Sequence, residues 1–168
     1  MSVMRYPSLM ERPVYRRIIV VSMRKMKKND MPALYGTAVR AFQADYEQYG
    51  VYPPLMDLKR RRLRPPRIFG KTVLEGDTII GGAFILALGK KGTIGAVFLD
   101  PSQQGKGYGR QAMLTIEKMY PKVKKWKLET PEGSERNHRF YESLGYVKIG
   151  EMRDSKSGMV GFVYEKNR

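Results

Sequence analysis

FLDPSQQGKGYGRQAML, residues 98–114, is the stretch from which the rest of this chain can be read. An apolar run that begins at Gly92 stops at Asp100-Pro101. A polar loop then carries Gly105, Gly107 and Gly109 at alternate positions, and a helical pattern follows without a break. Strand, Gly-rich turn and helix N-terminus gather backbone N–H groups that have no partner inside the chain. With the positive end of the helix dipole they favour an anion, above all a phosphate. The glycines alone leave a plain turn open as well. They also fit a dinucleotide fingerprint, because Gly107-Tyr108-Gly109-Arg110-Gln111-Ala112 matches G-x-G-x-x-A and Glu129 lies near the distance of a ribose-binding acid. Three features weigh against that fingerprint. The polar DPSQQ segment separates strand from glycines, the motif usually opens its domain, and too little chain remains to complete a doubly wound fold.

Composition narrows the chemistry. The 168 residues suit one domain with a real core, and 42% are apolar. The absence of cysteine excludes disulfides, thiolate metal sites and a cysteine nucleophile. His138 is the only histidine, which excludes a multi-histidine metal site and leaves a Ser-His-Asp triad dependent on that residue. The formal charge of +16 fits nucleic acid, an anionic cofactor, an acidic acceptor or simple solubility. Its densest cluster is Lys59-Arg60-Arg61-Arg62 with Arg64 and Arg67. This run reads first as solvated surface and second as a site for an acidic partner. No interleaved aromatics accompany it, so specific RNA readout is not indicated. The N-terminal apolar run, Ile18 to Val21, is too short for a signal core or a membrane span, which gives the expectation of a soluble, cytoplasmic protein without a membrane partner.

Working outward from the loop, residues 1–14 read as an extension and 15–168 as one domain. A first strand is expected over Tyr15–Met23. A helix follows Asn29-Asp30, with Met31, Leu34, Tyr35, Ala38 and Phe42 at helical spacing. The segment YEQYGVYPP reads as a loop and Leu55–Leu63 as a short helix ended by Pro65. Ile68–Leu74 and Thr78–Leu88 form a hairpin around Gly76-Asp77, and the second strand is apolar on both faces, as a central strand should be. Thr93–Leu99 leads into the opening stretch, whose helix ends at Pro121. A strand over Trp126–Thr130, a helix over Glu135–Leu144 and strands over Tyr146–Met152 and Met159–Glu165 complete the chain.

Two segments carry a family resemblance. Gln104-Gly105-Lys106-Gly107-Tyr108-Gly109 matches Q/R-x-x-G-x-G/A after a strand ending in Leu-Asp-Pro. Asn137 to Tyr146, NHRFYESLGY, fits N-x-x-x-Y-x-x-x-G-[FY]. In this order they resemble the acetyl-CoA pyrophosphate loop and the helix-to-strand signature of the GNAT (Gcn5-related N-acetyltransferase) superfamily, and with the element order the resemblance spans roughly residues 15–166. It implies an α+β, or mixed α/β, acyl-CoA N-acyltransferase fold: a mostly antiparallel mixed sheet with a splayed central strand pair, flanked by helices. It also implies an N-acetyltransferase that moves an acetyl group from acetyl-CoA, its cosubstrate, to a primary amine by direct attack in a ternary complex, without a metal.

By the same resemblance, pantetheine would lie along the backbone of Val97, Phe98 and Leu99. The pyrophosphate would meet Gln104, Gly105, Lys106, Gly107, Tyr108, Gly109 and Arg110, although Arg110 reads equally well as a solvated helix residue. Asn137 would contact the CoA arm, with helix capping as its plainer role. Tyr141 would return a proton to the departing thiolate, with half-buried packing as its plainer role. His138 reads as an ordinary surface or partly buried residue. The strand GTIGAVFL holds no carboxylate, so Glu129 is the first candidate for the general base, and Asp45, Glu47 or a water chain are the alternatives. Phe42, Tyr46, Tyr49 and Tyr52, with Asp45 and Glu47, suit a cationic amine, whereas the arginine-rich run suits an acidic acceptor. A homodimer is compatible with the resemblance, though composition says nothing of it. The rival reading is a non-catalytic CoA-binding or nucleic-acid-binding module on the same scaffold, which would account for the charge.

Overall fold

The computed structural model describes residues 21–50, 52, 56–57, 62–63, 69–155 and 158–168. The expected N-terminal extension, the start of the expected first strand and most of the Lys59–Arg67 run lie outside these residues. In chain order the elements are β1 (Val21–Lys25), α1 (Met31–Ala41), α2 (Gln43–Tyr49), β2 (Met56–Asp57), β3 (Arg62–Leu63), β4 (Phe69–Glu75), β5 (Thr78–Leu88) and β6 (Lys91–Leu99). After them come α3 (Tyr108–Met119), β7 (Lys125–Pro131), α4 (Glu135–Ser143), β8 (Val147–Arg153) and β9 (Val160–Asn167). Seven strands form one sheet in the order β1-β4-β5-β6-β7-β9-β8, and β2 and β3 form a separate pair. Among the described residues only β6 and β7 run parallel; every other neighbouring pair in this sheet is antiparallel. This is the mixed, mostly antiparallel sheet expected from the sequence.

The β4–β5 hairpin turns at Gly76, and β5 is the central strand its composition indicates. On one face Phe84 packs with Leu34 and Ala38 of α1 and with Phe98. On the other, Ala83 and Ile85 join Met113 and Ile116 of α3 with Trp126 and Leu128 of β7. Burial of an apolar side chain of this size contributes about 1.5–3 kcal/mol, so a doubly covered strand anchors both layers. Trp126 is fully buried and lies across its register partner Gly92, where a Cβ would run into the ring. Only glycine lets β6 and β7 close over that indole.

Two buried carboxylates fasten the periphery. Asp30, at the entry to α1, accepts from Arg24 Nη1 and Nη2 at 2.6 and 2.8 Å, from the Lys27 N–H at 2.8 Å and from Thr72 Oγ1 at 2.8 Å. Glu117 on α3 accepts from Lys166 Nζ at 2.9 Å through both oxygens and from the Tyr146 hydroxyl at 3.3 Å, which ties β9 to α3. Among the described residues no helix is long and apolar enough to cross a membrane.

Two local expectations are corrected. In place of a helix over Leu55–Leu63, β2 and β3 pair antiparallel, with Met56 opposite Leu63 and Asp57 opposite Arg62. A helix would have set Lys59 and Arg62 one turn apart, a like-charge contact that destabilises helices. Met56 instead packs into the cluster beneath α1. The segment read as an aromatic loop is helical up to Tyr49 and closes at Gly50, whose φ is +69°. α2 buries none of its residues. It is held by bonds to other elements, so it left no apolar periodicity to read.

Candidate active site

β6 and β7 share only four register pairs, Lys91 with Lys125 through Ile94 with Leu128. Beyond them both strands continue, to Leu99 and Pro131, without pairing to each other. The parting coincides with a bulge: Phe84 pairs with Ala96 and Ile85 with Ile94, so Gly95 is an extra residue on β6. A bulge bends its strand and adds local twist, and here it turns β6 away from β7. A wedge-shaped gap results, with unpaired backbone along its β6 side. The side chains of Phe98 and Leu99 go into the core, Phe98 against Phe42 and Phe84, and Leu99 against Tyr108 and Ala112. Val97 is half-buried against the other cluster. Any ligand in the wedge therefore meets main chain at these positions, which is what an extended amide chain needs in order to bind like a strand.

The glycine loop closes the wide end. Asp100 sets its shape: Oδ1 accepts from the Ser102 N–H at 3.1 Å and Ser102 Oγ at 2.7 Å, while Oδ2 accepts from Arg40 Nε at 2.9 Å and Nη2 at 2.5 Å. The Arg40 guanidinium and the Ser102 bonds hold the Asp100 carboxyl below the usual carboxylate range. Gln104 Nε2 donates to the Leu99 carbonyl at 3.4 Å, so this side chain is spent on the loop itself. Gly105 and Gly107 have φ of +76° and +80°, and a Cβ at either would meet nothing within 4 Å. Gly107 is the N-cap of α3, no side chain caps that helix, and its first turn holds no acidic residue. Lys106 and Arg110 flank the turn and are exposed; Lys106 Nζ bonds Gln103 Oε1 at 2.8 Å and Arg110 Nη1 bonds the Ser143 carbonyl at 3.2 Å. Tyr108 turns inward, buried, with its hydroxyl on Glu75 Oε1 at 2.5 Å, so only its backbone faces the loop. Open space over positive-φ glycines, an uncapped helix N-terminus and two cations fit a pyrophosphate.

α4 lies beside the free end of β7. Asn137 Nδ2 donates to Thr130 Oγ1 at 3.3 Å, and His138 Nε2 lies 3.0 Å from the Pro131 carbonyl with its ring stacked on Phe162. His138 is thus committed to structure. Tyr141, one turn beyond Asn137 on the same face, is half-buried among Phe140, Tyr146 and Tyr164, and its hydroxyl makes no hydrogen bond among the described residues. Burial, and secondarily the negative charge of Asp45, push the Tyr141 hydroxyl up to about 12, which keeps it a proton donor at neutral pH.

The three carboxylates considered from sequence sit differently. Glu129 follows the β7 alternation in which Trp126, Leu128 and Thr130 are buried and Lys125, Lys127 and Glu129 are exposed; it pairs with Lys127 at 3.5 Å. It therefore stands on the face of β7 opposite the cluster that contains Tyr141. Asp45, on α2, is half-buried and accepts from Ser134 Oγ at 3.4 Å. Glu47 is exposed and takes a bond from Gln43 Nε2 at 3.0 Å. Tyr46 stacks on Tyr52 at 4.5 Å, while Tyr49 accepts from the Gly133 N–H at 3.0 Å. The sequence signals missed Ser134, Arg40 and Asp100, whose roles come only from long-range partners. Among the described residues no group of three or more His, Asp or Glu side chains is placed to hold a metal ion.

Known proteins share this fold. The chain superposes on the ribosomal-protein-S18-alanine N-acetyltransferase from Escherichia coli with a TM-score of 0.65 at 16% identity, covering 88% of this chain and 94% of that one. It superposes on the PaiA N-acetyltransferase from Thermoplasma acidophilum, a structure in complex with coenzyme A, with a TM-score of 0.67 at 18% identity, covering 88% and 99%. For the spermidine/spermine N-acetyltransferase SpeG from Vibrio cholerae the TM-score is 0.62 at 13% identity, covering 88% and 92%. Identities this low speak for the fold alone. No curated protein matches the chain by sequence. The sequence model of the acetyltransferase (GNAT) family, however, matches residues 31–146, well over half of the chain and both ends of the wedge. The chain belongs to the GNAT family of acetyltransferases.

Proposed function

We propose that the protein transfers an acetyl group from acetyl-CoA to a primary amine by direct attack, with both substrates bound. The observation that carries this reading is the uncapped, glycine-lined N-terminus of α3 at the wide end of the β6–β7 wedge, with the unbonded hydroxyl of Tyr141 on the helix beside it. The loop amides from Gly105 onward, with Lys106 and Arg110, would hold the pyrophosphate. The free backbone of Val97 to Leu99 would pair with the pantetheine amides, and a main-chain N–H there would polarise the thioester carbonyl as an oxyanion hole does. Acetyl-CoA supplies the activated acyl group. Tyr141 supplies the proton that makes the thiolate a better leaving group, and its raised pKa ensures that the proton is present.

The test is thiol release from acetyl-CoA with a panel of n-butylamine, phenethylamine, spermidine, glycinamide and a lysine-containing peptide, each product checked by mass for one added acetyl group. At least one amine should turn over with saturation. Tyr141→Phe should lower kcat by about 10²-fold or more, the span typical of a general acid, while CoA affinity stays within about twofold. Turnover unchanged in Tyr141→Phe would remove Tyr141 from the mechanism.

A further inference from the structure

α2 buries no side chain, yet it is fixed across the end of β7. Tyr49 takes the Gly133 N–H at 3.0 Å, and Asp45 takes Ser134 Oγ at 3.4 Å. Ser134 is the N-cap of α4, two turns before Tyr141. Positions seven apart share a helix face about 10 Å along the axis, and long helical side chains lean toward the N-terminus. The Tyr141 hydroxyl is therefore carried back toward the turn where Asp45 is seated. The contact with Ser134 engages Oδ1, Oδ2 has no partner among the described residues, and Asp45 as a whole is only half-buried.

We propose that Asp45 is the acceptor-side carboxylate of the active site, which binds the substrate's ammonium group through its free oxygen and takes the first proton from it. This inference rests on the acetyltransferase reading above. In the step it serves, the ammonium nitrogen gives a proton to Asp45, which passes it to solvent. The neutral nitrogen forms the C–N bond as the C–S bond breaks. The second nitrogen proton replaces the one that Tyr141 gives to the leaving sulfur. The amide, the thiol and one released proton account for all the atoms. A carboxylate is a better acceptor here than on an open surface, because burial raises the Asp45 carboxyl above its ordinary value, with the Ser134 bond acting in the opposite direction.

The surrounding charges leave Asp45 free for this role. On α4 the groups facing it are Ser134 and Tyr141, and Arg139 is paired with Glu135 at 3.3 Å in the open. On α2 itself Glu47 is exposed and bonded by Gln43. At the β7 end Glu129 is paired with Lys127, Glu132 and Arg136 are exposed, and His138 is engaged with Pro131. Tyr46, next to Asp45 on α2, stacks on Tyr52 at 4.5 Å, so an aromatic pair adjoins the carboxylate in the chain. The substrate class is a primary amine on a small, otherwise uncharged body, since a single carboxylate within a protein of net charge +16 does little for a polycation.

The experiment compares wild type, Asp45→Asn, Ser134→Ala and Glu129→Gln with the best amine of the panel. At pH 7.5 kcat/KM should fall about 10²-fold or more in Asp45→Asn. The deficit should shrink steadily as pH rises toward about 10, where the amine loses its own proton in water. Without acetyl-CoA, calorimetric affinity for the same amine should weaken about tenfold in Asp45→Asn and by less in Ser134→Ala, which keeps the carboxylate but loosens its seat, while a wild-type melt and coenzyme A affinity in both variants control for folding. A deficit that is constant across pH, or amine binding untouched in Asp45→Asn, overturns the inference. So does a loss confined to Glu129→Gln, and in each case the acetyltransferase reading stands. Failure of the wild type to acetylate any amine defeats both.

Discussion

Replacing Gly107 by alanine isolates what the loop does. The residue sits at φ +80°, ψ 2°, and a Cβ there meets no heavy atom within 4 Å, so the substitution adds no clash inside the protein. Its cost is torsional. A left-handed conformation costs a non-glycine residue about 1–2 kcal/mol. Two outcomes share that cost. If the loop holds its shape, the fold bears it, and Tm drops by roughly 2–8 °C for a domain of this length. If the exposed loop relaxes, Tm is unchanged, and coenzyme A must restore the strained geometry when it binds, which weakens binding about 5–30-fold. The added methyl also projects into the open space over the loop, where the ligand would approach, so the affinity loss should reach at least fivefold in either case. Calorimetric titration with coenzyme A and a thermal melt of the same variant measure both quantities. Unchanged Tm together with unchanged affinity would refute the assignment of this turn as the anion cradle.

Two further predictions test the scaffold. Gly92→Ala drives a methyl into the Trp126 ring and should destabilise by about 1–3 kcal/mol, the usual cost of overpacking, with partial rescue by Trp126→Leu in the same chain; a wild-type melt for Gly92→Ala would contradict the packing described. Asp30, held below the usual carboxylate range chiefly by the Arg24 hydrogen bond, contributes stability that is present above about pH 4 and is lost as pH falls through its lowered folded pKa. Asp30→Asn should therefore cost about 2 kcal/mol at pH 7 and progressively less in acid, read from urea midpoints across pH; a pH-independent cost would show that the ion pair is not its source.

How far the sequence anticipated this molecule depends on how local each signal was. The β5 strand, the Gly76 turn, the glycine loop and the α3 stripe were legible because apolar periodicity and glycine placement act over a few residues. The mixed sheet followed from their order and from the family resemblance. α2 was missed because a helix with no buried face carries no periodicity, and its segment, rich in tyrosine and followed by Gly50 and Pro53-Pro54, looks like a loop. The β2–β3 pair was hidden because strands of two residues are too short to show an alternation. Within the candidate site, the open glycine loop and the shared helix face of Asn137 and Tyr141 could be read from local spacing. The settings of Glu129 and Asp45 could not. They depend on which face of β7 a side chain takes and on a contact across 89 positions, between Asp45 and Ser134, and neither is written in neighbouring residues. The clasp of Arg40 on Asp100 is of the same kind: each residue looks ordinary until the fold sets them together.

The most direct test of the central claim is a crystal structure of the full chain with coenzyme A. The pyrophosphate should lie on the amides between Gly105 and Arg110, the pantetheine along Val97 to Leu99 in the β6–β7 wedge, and the sulfur within hydrogen-bond reach of the Tyr141 hydroxyl. Coenzyme A bound elsewhere, or a wedge left empty at saturating ligand, would contradict it.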